Sequence, residues 1–254
     1  MLSPAARHKQ RVLARLAAEK APAGGMAAAR PKAGPEASAY ELLLAQLGSH
    51  LAQLKDIQSV EGKIARKTVL IDAYDAHVDA TLAAGVQTGK AVQDEIVSTM
   101  MLWRFDIGDF ERGLDLAEHV LRFALAMPQN IQRTAPTVVA EEIAEAALAA
   151  DRDGKEFPLA LIDRAAQLVE GFDMPDQVRA KLFKARGRSL LHVHARLTAH
   201  PETSPAGGPV AALSEALAAF RRALALDRNA GVKKDIERLA ARVPADAPAG
   251  ETGD

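Results

Sequence analysis

The sequence of 254 residues contains no cysteine, and aromatic residues make up only 4% of it. The absence of cysteine excludes disulfide bonds and zinc sites built on thiolates. No apolar run approaches the length of about 20 residues that a membrane-spanning helix requires. The N-terminus also lacks the apolar stretch of a secretory signal. These absences predict an intracellular chain, located in the cytoplasm, that makes no contact with a membrane.

Proline is absent over residues 36–127, and the strong helix formers alanine, leucine, glutamate, lysine and arginine are abundant throughout the chain. Apolar residues recur at steps of three and four from Tyr40 to Leu82, which is close to a heptad repeat. This pattern predicts one long helix or two, with a possible break near residues 66–67. Gly85 and Gly89 are expected to end it.

The expected fold class is all-α. We predict a long helical hairpin or coiled-coil-like core, helical hairpins of the tetratricopeptide kind, and a flexible basic N-terminal arm. The hairpin likeness is local, at residues 102–114 and 216–227, because no regular repeat of about 34 residues occurs. The predicted domains are a basic helix with a flexible linker (1–36), a central oligomerisation core (37–128), a C-terminal helical domain (129–242) and a disordered tail (243–254).

The N-terminal segment is strongly basic. Residues 1–32 hold seven basic residues and one acid, a net charge of +6 in a chain whose net charge is -1. Ser3-Pro4 is typical of a helix start. Proline and glycine over residues 21–36 predict a flexible linker, so the basic arm, residues 1–20, is expected to be tethered rather than packed. Its DNA-binding candidates are Arg7, Lys9, Arg11, Arg15 and Lys20.

Two interpretations of the basic arm remain open. Its side chains could neutralise DNA phosphates, which makes binding strongly dependent on salt. Alternatively, the arm is a solvated charged segment that serves only solubility.

Three acidic residues, Asp106, Asp109 and Glu111, lie at a turn between two predicted helices. A metal-dependent nuclease requires converging carboxylates, and these three could hold one Mg²⁺ ion. Alternatively, Asp109 caps the next helix and Glu111 interacts with the helix dipole, which is the interpretation we favour. No other cofactor and no metal site are predicted. Because no phosphate-binding loop of the Walker type occurs, an ATP-driven motor is not expected in this chain.

A second basic stretch is a candidate for a secondary DNA or partner surface. It consists of Arg179, Lys181, Lys184, Arg186 and Arg188. These side chains point around much of a helix, so some of them must simply be surface residues. His192 and His194 follow, but residues two apart on a helix do not face one another, which favours a structural pair over a metal site.

Five segments, in order between residues 3 and 239, resemble the small terminase subunit of tailed bacteriophages, in the type often called the terminase endonuclease subunit. They are Ser3-Pro4-Ala5 with Arg7-His8, Met101-Leu102-Trp103-Arg104 with Gly108-Asp109, Ala126-Met127-Pro128 with Arg133-Thr134, Asp173-Met174-Pro175-Asp176 with Val178-Arg179-Ala180, and Ala230-Gly231-Val232-Lys233-Lys234 with Ile236-Glu237. Members of that family often carry a basic C-terminal tail, whereas the tail here is acidic.

The resemblance implies a protein that binds the packaging site on viral double-stranded DNA. It implies a large ATPase subunit as partner, with which the DNA is cut and loaded into procapsids, so that nuclease activity belongs to the holoenzyme. It also implies a homo-oligomer, in the form of a ring, with contacts centred on residues 38–84. Two alternatives are a tetratricopeptide-like scaffold without DNA binding and a true endonuclease centred on the acidic turn.

Overall fold

Local sequence signals set the ends of several helices. The structure, a computed structural model, describes residues 3–22 and 25–243. Ser3 caps the first helix because its hydroxyl oxygen accepts a hydrogen bond from the amide of Ala6 at 3.2 Å. The described residues contain eleven α-helices, which confirms the all-α class. These are α1 Pro4–Glu19, α2 Pro35–Asp56, α3 Val60–Leu70, α4 Asp75–Thr88, α5 Glu95–Asp106, α6 Phe110–Arg122, α7 Ala135–Arg152, α8 Leu159–Leu168, α9 Asp176–Ala199, α10 Gly208–Leu226 and α11 Lys233–Ala240.

The helical stripe that begins at Tyr40 is divided into three helices instead of one or two. α2 and α3 separate where Ser59 caps α3, by accepting a hydrogen bond from the amide of Gly62 at 3.1 Å. A 3-10 turn at Ile71–Ala73 then separates α3 from α4. The predicted break at residues 66–67 is wrong, because both residues lie inside α3. Gly89 ends α4 with a left-handed φ of +64°, as predicted.

The chain folds as two compact units, Met1–Ala135 and Pro136–Asp254. The basic arm belongs to the first unit and is not a separate domain of residues 1–36. The division follows residue 135, later than the predicted boundary after residue 128. The predicted disorder of the tail concerns residues that lie, from position 244 onward, outside the described part of the chain.

In the first unit, α1 packs against α4 and buries Leu13, Ala17 and Ala18. The linker is also in contact with the unit: the amide of Ala28 donates to the carbonyl of Ala91 at 3.0 Å, and the amide of Gln93 donates back to Ala28 at 2.8 Å. The prediction of a tethered, unpacked arm is therefore wrong for the described residues. The thin apolar side of α1 is sufficient for docking because alanine allows close approach to α4.

A buried carboxylate joins four segments of the first unit. Asp94, which is 1% exposed, caps α5 by accepting from the amides of Ile96 and Val97 at 3.1 and 3.2 Å. Its other oxygen contacts Nε2 of His77 at 2.8 Å and forms an ion pair with Arg30. Arg30 in turn lies over the ring of Tyr40, with 3.7 Å from Cζ to the ring centroid.

The electrostatics of this network favour the ionised form of Asp94. Burial alone would raise the pKa of Asp94, but His77 and Arg30 outweigh burial and hold the pKa below its usual range. Burial raises the pKa of Tyr40 to about 12, so its hydroxyl stays protonated. The hydroxyl oxygen of Tyr40 accepts a hydrogen bond from the amide of Glu95 at 3.0 Å, which joins α2 to the start of α5.

In the second unit, α9 and α10 form a closely packed pair. Their shared core includes Leu190 from α9 and Leu217 and Phe220 from α10, together with Val232 and Leu239 near α11. The two helices approach closely at Gly187, where an added Cβ would lie 2.5 Å from a ring carbon of Phe220. α8 also packs against α9, and α11 packs against α10. The tetratricopeptide-like character of these hairpins stays a prediction.

The buried histidine of α6 should make the first unit sensitive to acid. His119 is 6% exposed, its Nε2 has no hydrogen-bond partner among the described residues, and burial lowers its pKa to about 4. An unfolded histidine has a pKa near 6.5. The unfolded state therefore binds more protons between these values, and stability should fall as the pH drops from about 6.5 to about 4, by at most about 3 kcal/mol.

Urea unfolding followed by the fluorescence of Trp103, the one tryptophan of the sequence, would measure this effect in the first unit. His119→Leu should flatten the pH dependence between these two pH values. His8→Gln, which alters an exposed histidine of α1, is the control and should leave the dependence unchanged. An equally steep dependence in the His119→Leu protein would contradict the assignment.

Candidate nucleic-acid interface

The docked position of α1 leaves all five cations of the basic arm exposed, on more than one side of the helix. All five DNA-binding candidates of the arm are exposed, whereas the residues that contact α4 are apolar and buried. Because residues four apart lie on the same side of a helix, three of the arginines form a continuous row. The candidates are Arg7, Lys9, Arg11, Arg15 and Lys20.

Two of these cations have internal carboxylate partners. Arg15 lies 3.3 Å from Glu19, one helical turn away, with both side chains more than half exposed. Such an exposed pair contributes little to stability and can exchange for a phosphate. Lys20 forms an ion pair with Glu36 at the start of α2, and this contact lowers the pKa of Glu36. Lys9 and Arg11 are exposed and form no ion pair within the described part of the chain.

The second basic stretch, on α9, is largely neutralised inside the second unit. Lys181 lies 2.9 Å from Glu145, and Arg186 contacts Asp163 at 2.7 Å and Glu215 at 2.9 Å. These contacts raise the pKa of Lys181 and of Arg186, although burial opposes the effect for both.

The other three cations of this stretch are also engaged. Arg188 binds Asp235 through both terminal nitrogens, at 3.2 and 2.7 Å. Arg179 donates to the carbonyl of Phe172 at 2.7 Å, and Lys184 donates to that of Ala230 at 2.8 Å. α9 therefore uses its cations to connect helices of its own unit.

The two histidines of α9 have different partners. Nε2 of His192 contacts Asp151 at 2.9 Å, and Nδ1 of His194 contacts the carbonyl of Pro209 at 2.9 Å. The structure therefore does not bring the two imidazoles together on one ligand. Within residues 3–22 and 25–243, no group of three or more histidine, aspartate or glutamate side chains is placed to hold a metal ion.

The acidic turn between α5 and α6 is built from ion pairs and a helix cap. Asp109 caps α6 by accepting from the amide of Arg112 at 3.4 Å, and it pairs with Arg104 at 2.8 Å. Asp106 pairs with Lys67 of α3 at 2.5 Å. Glu111 is exposed in the first turn of α6, where a negative charge interacts favourably with the helix dipole. Asp106 and Asp109 thus bind different cations, and Glu111 lies on the exposed surface of α6. The three carboxylates do not converge on one point.

The residues that position the basic arm were not found by sequence reasoning. Arg30 was counted among the cations of the N-terminal segment, but it is a nearly buried partner of Asp94, with 14% of its side chain exposed. Glu36 holds Lys20 at the end of α1. No spacing rule connects residues 30 and 94, so the sequence alone contained no signal for this contact.

Asp109 gives a direct test of the capping assignment. Asp109→Ala should lower the free energy of unfolding of the first unit by about 1 kcal/mol, because the cap of α6 is lost. Asp109→Asn should cost less, since asparagine also caps helices. Glu41→Gln, at an exposed acid within α2, is the control and should leave the stability unchanged. Denaturant titrations followed by Trp103 fluorescence would measure all three, and an Asp109→Ala protein as stable as the parent would contradict the assignment.

Comparisons with known proteins agree with the resemblance seen in the sequence. The family model described as phage small terminase subunit matches residues 44–177. The chain is 37% identical, over 241 residues, to the "Terminase, endonuclease subunit" of Escherichia phage P2, which covers 94% of this chain and 85% of that protein. No solved structure matches the chain.

A second relative is more distant. The chain is 28% identical, over 170 residues, to the "Probable terminase, endonuclease subunit" of Haemophilus phage HP1, which covers 64% of this chain and 57% of that protein. No helix in the described residues is long and apolar enough to cross a membrane. The family match over half of the chain and the extended identity to the phage P2 protein place the chain in the phage small terminase subunit family, with a role in phage DNA packaging.

Proposed function

We propose that this chain is the DNA-recognition subunit of a phage terminase, which binds viral double-stranded DNA through the exposed basic side of α1. In this proposal it recruits a large ATPase subunit, and the two together cut the DNA at the packaging site and load it into procapsids. The chain acts as a homo-oligomer in the cytoplasm of the host bacterium.

The observation that carries the proposal is the division of α1 into two sides. Its apolar side, with Leu13, Ala17 and Ala18, is buried in the first unit. The rest of its surface exposes the row Arg7, Arg11 and Arg15 and, on a different side, Lys9. A helix that is anchored in this way presents cations at fixed spacing, and phosphate contacts from fixed cations position a protein on DNA. The alternative of a loose charged tail does not account for the buried side of α1.

We assign the cutting of DNA to the complex with the large subunit and no catalytic role to the acidic turn. In support, Asp106 and Asp109 each have a cationic partner, and Asp109 has a structural role as a cap. A two-metal nuclease site needs carboxylates that converge on ions about 3.5–4 Å apart. Purified chain that cleaves DNA with Mg²⁺, and that loses this activity on Asp106→Asn without unfolding, would favour the endonuclease alternative.

The DNA-binding role of the arm can be tested by removing charge without removing the helix. Deletion of residues 1–20 would expose the side of α4 against which α1 packs, so it would confound folding with binding. Lys9→Gln/Arg11→Gln should keep the fold and lower the slope of log affinity against log salt by about two, because each phosphate contact contributes about 0.9. Fluorescence anisotropy with labelled duplex DNA would measure the slope.

The matched control for this experiment is Lys55→Gln/Arg122→Gln, which removes two exposed cations of α2 and α6. The control should retain the salt slope of the parent chain. An unchanged slope and affinity in the Lys9→Gln/Arg11→Gln protein would rule out the arm as a DNA contact. Absence of any salt-dependent DNA binding by the parent chain would favour the scaffold alternative.

The structure changes the basis for the predicted self-assembly. Leu47 and Leu54, which were expected to form a seam between copies, are 1% and 6% exposed within a single chain. Substituting them would damage the core and would not isolate assembly. The exposed apolar side chains of the first unit include instead Leu42 at 74%, Val60 at 73% and Val69 at 68% exposure. A cyclic assembly would present several arms to one DNA segment and so raise their effective concentration.

Mass measurement in solution tests the assembly. The parent chain should run as a homo-oligomer at micromolar concentration, and Leu42→Ser/Val69→Ser should lower the mass while helicity stays the same. Val210→Ser, at an exposed valine of the second unit, is the control and should leave the mass unchanged. A parent chain that is monomeric at these concentrations would contradict the proposal.

A further inference from the structure

The end of α10 and the turn that leads into α11 form a second concentration of positive charge. Residues 221–234 contain five basic residues and one acid, a net charge of +4, although the whole chain has a net charge of -1. All five basic side chains are exposed. We call this set the α10–α11 basic turn; it consists of Arg221, Arg222, Arg228, Lys233 and Lys234.

The cations of this turn differ from those of α9 in having no carboxylate partner within the described residues. None of the five forms an ion pair within the described part of the chain, whereas Lys181, Arg186 and Arg188 all do. The one acid of the segment, Asp227, uses its carboxylate to accept a hydrogen bond from the amide of Asn229 at 2.8 Å. The turn therefore has a local excess of positive charge that no ion pair among the described residues offsets.

The backbone of the turn is held in place by the core. Val232 is fully buried beside Phe220, and Gly231 adopts a φ of +73° that a residue with a side chain rarely adopts. Nζ of Lys184 donates to the carbonyl of Ala230 at 2.8 Å, which fixes the turn against α9. The guanidinium of Arg222 lies 6.0 Å from the ring centre of Phe183, the neighbour of Lys184. The charged side chains thus extend from a fixed frame.

Two of the cations are placed where they oppose folding. Lys233 and Lys234 open α11, and a helix N-terminus disfavours positive charge. Val232 at the cap position supplies no side-chain hydrogen bond. Asp235, the acid of this first turn, is nearly buried and is engaged by Arg188 and Arg238. The two lysines therefore bring no evident benefit to the stability of the helix.

The chemistry of the turn fits a phosphate backbone better than a protein surface. Among residues 136–243, the described part of the second unit, the exposed large apolar residues are Phe172 and Val210, and both lie outside residues 221–243. Protein interfaces usually have an apolar or aromatic centre and few lysines. Clustered lysine and arginine without such a centre is the pattern that binds DNA phosphates without reading the base sequence.

We infer that the α10–α11 basic turn is a second DNA-backbone surface, carried by the second unit and separate from the basic arm. This inference rests on the proposed DNA-binding function and adds a surface to it. DNA held by both surfaces is contacted at two places, so the loss of either one lowers affinity and the loss of both lowers it further.

The test removes two charges from the turn of the full-length chain. Lys233→Gln/Lys234→Gln should lower the salt slope by about two and the affinity at about 100 mM salt by one to two orders of magnitude. The loss should be equal on two duplexes of unrelated sequence, because backbone contacts carry no sequence information. The melting temperature should stay the same or rise, since unfavourable charge is removed from the start of α11. Arg221→Gln/Arg228→Gln, which leaves α11 unchanged, should lower the slope in the same way.

The control pair is Arg152→Gln/Lys155→Gln, two exposed cations elsewhere in the second unit, and it should retain the parent slope. If both turn variants bind like the parent while Lys9→Gln/Arg11→Gln binds weakly, the inference is overturned and the proposed function of the arm stands. If the parent chain shows no DNA binding, both fail. If the turn variants bind DNA normally but lose binding to the large subunit, the turn is a protein contact and the inference is likewise wrong.

Discussion

The ion pair between Arg30 and the buried carboxylate of Asp94 is the contact on which the arrangement of the first unit depends. One carboxylate caps α5, contacts His77 of α4 and holds the segment that connects α1 to α2. Breaking a buried pair by removing one partner typically costs about 3–5 kcal/mol, because the remaining charge stays buried without compensation. α1 itself is held by its packing against α4, and the pair fixes the segment that follows α1, so the support for the cations of the arm includes a contact that itself touches no ligand.

The protein uses basic residues in two ways that the sequence does not distinguish. Arg30 and the cations of α9 form contacts within the chain. Lys9, Arg11 and the cations of the α10–α11 basic turn remain exposed. The net charge of a segment therefore does not report how much charge is available to a ligand. In residues 179–188 the count of five basic residues overstates the charge that is available to a ligand, whereas in residues 221–234 all five basic residues are exposed.

Features that depend on residues a few positions apart could be predicted from sequence. They are the all-α class, the helix start at Ser3, the end of α4 at Gly89 and the cap at Asp109. The break between α2 and α3 was missed, since Ser59 interrupts a stripe whose apolar period continues across it. The docking of α1 was missed because proline and glycine in the linker suggested a flexible segment. The linker is in fact held by contacts with residues 91–94. The basic residues of α1 could be predicted from the sequence. Which of its side chains face α4 and which remain exposed could not.

The packing of α1 against α4 also has a consequence for the order of events during synthesis. α1 is translated before the helix against which it packs, because α4, Asp75–Thr88, is made dozens of residues later. Contacts between residues far apart in sequence form only after the intervening chain has been produced and its loop closed. After it leaves the ribosome, α1 therefore has to wait for α4 before it can dock, and during that interval its apolar side and its cations are open to any other binder.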